Sequence, residues 1–220
     1  METKLLRADE RAIECAAELI RAGEVVGFPT ETVYGLGANA LDGKAVLKIF
    51  AAKGRPADNP LIVHISALDE TAPLISGDLP ESARRLAEAY WPGPMTLILK
   101  KSALIPDEVS AGLDTVGIRM PSNPVARALI KASGCPIAAP SANRSGRPSP
   151  TCAQDVFEDM DGRVPNILDG GECDIGLEST VISLADERAR ILRPGGITPE
   201  MIARVLGGVD VDPTALKPLA

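Results

Sequence analysis

The chain has 220 residues, 45% of them hydrophobic and 24% charged, with a formal net charge of −7. This length supplies one sizeable core and crowds two. The acidic balance disfavours a protein that coats nucleic acid through its phosphates, which needs a broad basic surface, so any anion site has to be local.

The N-terminal METKLLRADERA carries charges where a signal peptide needs an apolar stretch, and no run of 18 apolar residues follows, which predicts a soluble, cytoplasmic protein. Asp9 fits as the N-cap of a helix with the inward stripe Ile13/Ala16/Ala17/Ile20, and Gly23 lies just past its end. EVVGFP (24–29) reads as a strand. Asp42 opens a second helix whose stripe is Val46, Ile49 and Phe50. PLIVHI (60–65) is the next strand, followed by a helix striped Ala83/Leu86/Ala87/Tyr90 and by strands MTLILK (95–100) and TVGIR (115–119). Ser122 fits as the cap of a helix striped Val125/Ala128/Leu129/Ala132 and stopped by Gly134. PIAAP (136–140), TVISL (180–184) and RILRP (190–194) read as strands, and Thr198 with Pro199 opens a last helix. Some of these strands are apolar throughout, as strands buried on both faces are. Strands and helices alternate early, and strands crowd together late. The pattern predicts a single α/β domain with a mixed parallel and antiparallel sheet covered by helices.

Four scattered cysteines, Cys15, Cys135, Cys152 and Cys173, form no Cys-x-x-Cys pair and read as reduced structural residues. The lone histidine, His64, excludes a multi-histidine metal centre. No Walker-type loop, dinucleotide fingerprint, His-Glu-x-x-His or Gly-x-Ser-x-Gly is present. Chemistry instead concentrates in the joints KGRPADNP (53–60), SANRSGRPSP (141–150), LDGGECDIGLES (168–179) and RPGG (193–196).

PTETVYGLG (29–37) runs from an apolar strand into Thr30, Glu31, Thr32 and Tyr34, which suits a ligand crevice at a strand end and equally a turn whose hydroxyls bond their own backbone. Lys53 falls on the inward face of its helix, so its ammonium should point into the protein and require an anion; a cation complementing the helix dipole is the alternative. Asn59 could add a neutral donor. The loop from Ser141 through Asn143, Arg144 and Arg147 to Ser149 is dense in donors, as phosphate oxygens require, although a solvated loop would look the same. Arg119 and Arg193 close strands and suit carboxylate or phosphate, or surface ion pairs. His64, inside an apolar run, reads as a buried histidine bonded to backbone, and Ser179 is unremarkable alone. Together Lys53, Arg55, Arg119, Arg144, Arg147 and Arg193 imply a focused pocket for a small polyanion in an acidic chain.

In this order, PTETVYGLG, AAKGRPADNPLIVHI, the SAN of APSANRSGRPSPT, LESTVISL and ILRPGG resemble the YrdC-like threonylcarbamoyl-adenylate synthase family, in its short form. The similarity covers a catalytic domain at 8–206 and leaves a short tail at 207–220. It implies a twisted α/β sheet of the YrdC/RibB-like kind with a concave cationic face. The activity it implies is that of a nucleotidyltransferase. L-threonine, bicarbonate or carbon dioxide, and ATP would give threonylcarbamoyl-AMP and pyrophosphate for the threonylcarbamoyladenosine modification of tRNA. Threonine would meet Thr32, His64, Arg119 and Ser179. ATP would meet Arg55, Asn59, Thr115, Ser141, Ser149 and Arg193. Lys53, Arg55, Ser141 and Asn143 would be the catalytic members. Mg2+ would arrive with ATP, held mainly by its phosphates, with no metal site in the protein. Partners would be downstream tRNA threonylcarbamoyl-transfer proteins, with weak tRNA or RNA binding at most and no membrane. The competing readings are a tRNA or double-stranded-RNA-binding module and another carbamoyl-transfer enzyme on the same fold.

Overall fold

The computed structural model describes residues 2–186 and 188–216. In chain order these form β1 (Lys4–Arg7), α1 (Glu10–Arg21), β2 (Val26–Phe28), β3 (Gly35–Asn39), α2 (Gly43–Lys53), β4 (Ile62–His64), α3 (Glu81–Tyr90), β5 (Met95–Lys100), α4 (Asp107–Ser110) and β6 (Thr115–Arg119). There follow α5 (Pro124–Ser133), β7 (Ile137–Ala139), α6 (Ala153–Met160), β8 (Asn166–Asp169), β9 (Thr180–Ser183), β10 (Arg190–Arg193), α7 (Pro199–Leu206) and β11 (Asp210–Val211). The strands make one sheet in the order β1-β8-β2-β3-β7-β4-β6-β5-β9-β10-β11. β4 lies parallel to β6 but antiparallel to β7, and β5 is parallel to β9 but antiparallel to β6, so the expected mixed α/β sheet is what forms.

Alternation along the strands feeds two cores. Ile137 and Ala139 of β7 join Phe28 and the α1 and α5 residues Ala16, Ile20, Leu129 and Ile130 on one face. Ala138, between them, joins the larger core formed with Val46, Ile49 and Leu86 on the other.

The helix caps at Asp9, Asp42 and Thr198 form as expected, each side chain accepting from a backbone N–H of the first turn. Ser122 does not cap α5. Asn123 does, accepting from Val125 N and Ala126 N at 2.9 and 3.2 Å, because Pro124 has no N–H to satisfy and its fixed φ suits the first helical position. The buried stripe of α5 is correspondingly Ala126/Leu129/Ile130/Ser133, with Val125, Ala128 and Ala132 only partly covered.

Four strands lie outside the predicted set: β1, β3, β8 and β11. The glycines of β3 made it look like a joint. They are there because Phe28 and β7 press on it: a Cβ at Gly37 would sit 2.6 Å from Ile137 Cγ2 and 2.7 Å from the Phe28 ring. The sheet also continues past both ends of the 8–206 segment, through β1 and β11. Of the 207–220 tail, residues 217–220 lie outside the described residues.

Candidate active site

A cavity of about 520 Å3 lies over the middle of the sheet. Its floor is one face of the central strands: Gly35, Ala139, Ile62 and His64, with Arg119 ending β6. The register carries this face across the strands, since Ile62 pairs with Ala139 and His64 with Arg119. The residues by themselves point to strand ends, and the resemblance to a concave face of the sheet; the cavity uses both, with small residues leaving room on the face. The walls come from the loops, with Thr32 and Tyr34, Arg55, Asn59, Ser141 and the pair Glu178–Ser179, and from Leu192 and Arg193 at the end of β10.

Arg119 is 3% exposed and only partly satisfied. Its Nη2 donates to Glu31 Oε1 at 2.7 Å and to Thr32 Oγ1 at 3.0 Å. Its Nε is buried without a partner. Glu31 is in turn fixed by the Ser122 N–H, which donates to its other carboxylate oxygen at 3.1 Å. Thr30 and Thr32 both line the cavity, and their hydroxyls differ in what they meet. Thr30 bonds its own turn through the Val33 carbonyl at 2.7 Å, whereas Thr32 reaches Arg119.

His64 is buried as predicted, and it also lines the cavity. Its Nδ1 lies 3.1 Å from the Ile62 carbonyl and 3.3 Å from that of Ile137, so Nδ1 carries the hydrogen and Nε2 is left as an acceptor. Burial lowers its pKa to about 3, the Arg119 charge adds to the shift, and the two carbonyls oppose it.

Arg193 folds back on the start of β9, its Nε donating to the Ser179 carbonyl and its Nη2 to Ser179 Oγ, both at 3.0 Å, while Nη1 pairs with Glu178. Burial lowers its pKa, with Glu178 opposing and Arg119 reinforcing. Ser149 donates to the other Glu178 oxygen at 3.0 Å. Gly195 allows this packing, because a Cβ there would lie 2.4 Å from Thr180 N and 2.5 Å from the Glu178 carbonyl oxygen.

Arg55 is aimed by the end of α2. Gly54 adopts the left-handed conformation at φ 66°, its N–H bonds the Ala51 carbonyl, and Arg55 N–H bonds that of Phe50, the paired bonds of a Schellman turn. The guanidinium lies 5.4 Å from the Phe50 ring centroid, and its buried Nε has no partner.

Lys53 points inward, but the expected anion is not what it meets. Its ammonium donates to the backbone carbonyl of Ser141, to that of Asn143 at 2.6 Å, and to Asn143 Oδ1 at 3.4 Å. Neutral oxygens suffice because three of them converge on one cation. Burial lowers its pKa to about 8, with Arg55 adding and Glu178 and Asp159 opposing. Arg144 and Arg147 do not line the cavity either. The Arg144 N–H donates to Asp159 at 2.9 Å, and the Arg147 guanidinium pairs with the same carboxylate.

The cavity therefore gathers Thr32, Arg55, Asn59, His64, Arg119, Ser141, Ser179 and Arg193. Lys53 and Asn143 stand behind it, Ser149 reaches it through Glu178, and Thr115 begins β6, two residues before the Gly117 that pairs with Ile62. Sequence reasoning missed Glu178 as a member of the site, and it gave Glu31 only as one polar residue of PTETVYGLG, without its partner Arg119. The available signal was an acid inside each motif that also supplies hydroxyls beside buried arginines.

Residues 18–195 match the Sua5/YciO/YrdC family model, described as telomere recombination. The threonylcarbamoyl-AMP synthase of Bacillus subtilis (strain 168) is 57% identical over 212 residues, covering 96% of this chain and 61% of that protein. The structure of Pyrococcus abyssi Sua5 complexed with L-threonine superposes with a TM-score of 0.93 at 50% identity, covering 100% of this chain and 65% of that one. Escherichia coli YciO gives a TM-score of 0.76 at 28% identity over 89% of this chain and 96% of its own. The chain thus spans about three fifths of the length of the B. subtilis relative. A family match over residues 18–195, with the same fold at half-identical sequence, places the chain in the Sua5/YciO/YrdC family.

Proposed function

We propose that the chain is an L-threonylcarbamoyladenylate synthase that joins L-threonine, bicarbonate or carbon dioxide, and ATP. The observation that carries this reading is that Arg55, Arg119 and Arg193 line one cavity, and that Arg55 and Arg119 each keep a buried Nε without a partner. Buried donors without acceptors cost on the order of 1–3 kcal/mol each, more when charged, and anions in the cavity would offset that cost through the guanidinium charge. Two such groups, with Arg193 as a third cation, suit two anionic substrates side by side. The cavity volume of about 520 Å3 is within the range of small-molecule sites.

Arg119 would take the threonine carboxylate, with the Thr32 hydroxyl beside it and that of Ser179 in the same cavity. Nε2 of His64 accepts a hydrogen bond from the substrate but, at a pKa of about 3, stays neutral and carries no proton near pH 7. Arg55, Asn59, Thr115, Ser141, Ser149 and Arg193 would hold ATP. The threonine amine, as free base, attacks carbon dioxide, forming the N–C bond of a carbamate and releasing a proton to solvent. A carbamate oxygen then attacks the α-phosphorus, and the bond to pyrophosphate breaks as the new P–O bond forms. The protein contributes alignment of two mutually repelling anions and fixed positive charge, with no covalent intermediate. Among the described residues no group of three or more His, Cys, Asp or Glu side chains gathers as a metal site, and the one carboxylate lining the cavity, Glu178, is already paired. That donor set fits Mg2+ brought in on the ATP phosphates, where it would neutralise phosphate charge. Transfer to tRNA by downstream proteins is part of the same proposal.

The test is pyrophosphate release from ATP and magnesium, with threonine and bicarbonate each omitted in turn. Release that needs both is expected. Release without threonine would refute the reading in favour of another carbamoyl-transfer or hydrolytic enzyme, and folded protein that binds RNA but releases nothing would favour a binding module.

A further inference from the structure

We infer that Lys53 is a positioning residue: it fixes the 141–147 loop so that Ser141 faces the nucleotide, and it does not touch the phosphates. The inference rests on the synthase reading for what the loop does, and on the geometry alone for what Lys53 does.

An ammonium has three N–H bonds, and those of Lys53 have three acceptors in this one loop: the Ser141 and Asn143 carbonyls and Asn143 Oδ1. Carbonyls two residues apart both face Nζ, so the backbone is curled around the cation. Without it, these oxygens would be turned toward one another in a buried place with no donor. The loop also hangs on the Lys53 main chain, whose carbonyl accepts the Ser145 N–H at 3.2 Å. Asn143 spends its whole amide in the same knot. Its Oδ1 accepts from Ser141 Oγ at 2.6 Å, and its Nδ2 donates to the Arg144 and Arg147 carbonyls at 2.9 and 2.7 Å. Asp159 anchors the far side through Arg144 N–H and the Arg147 guanidinium. Ser141 lines the cavity, whereas Lys53 and Asn143, at 2% and 8% exposure, do not. A neutral side chain could not serve three acceptors at one atom, which is the physical reason for a lysine here.

Lys53→Ala, Asn143→Ala and the double variant would be compared with the parent enzyme by pyrophosphate-release kinetics and by amide hydrogen exchange across residues 141–149. Each single change is expected to lower kcat/KM for ATP at least about tenfold, to leave the threonine KM within about threefold, and to speed exchange in the loop. Because both changes dismantle one knot, the double variant should fall no more than about threefold below the worse single one. Unchanged exchange in Lys53→Ala, or a double loss equal to the product of the two singles, would overturn the inference and put Lys53 on the reacting atoms. If Lys53→Ala fails to fold, Lys53→Met keeps the packed stem and faces the same criteria. A parent enzyme that releases no pyrophosphate would defeat the synthase reading, while the exchange data would still decide the clamp.

Discussion

Glu31 to Gln removes one charge from a buried pair and almost no volume. Both side chains of the Glu31–Arg119 pair are 4% exposed, and their nearest atoms are 2.7 Å apart. Opposite charges at about 4 Å attract by roughly 4 kcal/mol at an effective dielectric constant of 20. Breaking a buried pair by altering one partner costs about 3–5 kcal/mol, since the other charge is left uncompensated. Gln keeps one acceptor oxygen, for Arg119 or for the Ser122 N–H but with an amide N–H facing the other donor, so a loss of about 3 kcal/mol is expected. For a chain of this size that lowers Tm by roughly 6–12 °C. Thermal unfolding near pH 7, with and without saturating L-threonine, reads this directly. The variant should also gain more from threonine than the parent does, because a carboxylate arriving at Arg119 supplies the missing negative charge. Melting within about 1 °C of the parent, with an equal response to threonine, would refute the claim that Glu31 holds Arg119 electrostatically.

Two further perturbations test the site from other sides. The folded His64 pKa of about 3 lies below its ordinary value of 6.5, so the unfolded chain takes up a proton that the folded one excludes. Its contribution is full above pH 6.5 and is lost as pH falls toward about 3. Urea unfolding of His64→Asn between pH 6.5 and 4.5 should therefore show a stability slope shallower than the parent's by up to about 1.4 kcal/mol per pH unit; equal slopes would mean that His64 titrates normally. Gly195→Ala places a methyl 2.4 Å from Thr180 N and 2.7 Å from the Ser179 carbonyl carbon. Since backbone cannot step aside as a side chain can, the cost should reach about 3 kcal/mol or more, visible as a lower urea midpoint. A midpoint matching the parent's would show that the 193–196 turn is free to shift.

Amphipathic periodicity made the helices α1, α3 and α5 legible, and apolar runs gave β5 and β6 to the residue. Both signals arise from burying one side of a regular element, which a local window of sequence records. β3 escaped because its glycines answer to Phe28 and Ile137, two contacts from other strands that no local pattern contains. Asn123 displaced Ser122 as a cap through a competition between neighbours that a preference scale ranks about equal. In the site, the direction of Lys53 was legible from its helical face, but not what it meets. The carbonyls of Ser141 and Asn143 are main-chain atoms, and their convergence is set by how residues 141–147 turn.

The same limit explains why the arginines were legible and the pairing of their acids was not. A chain of net charge −7 can keep a cationic cavity only if its own carboxylates are held out of it or matched one to one. Glu31 does the first, sitting behind Arg119 against the Ser122 N–H and outside the cavity lining. Glu178 does the second, paired with Arg193 and Ser149 at the wall. Arg55 has no carboxylate within ion-pair distance among the described residues. Positive charge is thus graded across the cavity: Arg119 is paired with Glu31 from behind, Arg193 with Glu178 at the wall, and Arg55 with no carboxylate among the described residues. An amino-acid carboxylate, one negative charge, matches the rigid Arg119 end. A polyphosphate, with several, requires the Arg55 and Arg193 end, and it would compete with Glu178 for Arg193 and Ser149. If the chain takes both substrates as proposed, nucleotide binding should consequently displace the Glu178 carboxylate, and threonine binding should leave it in place.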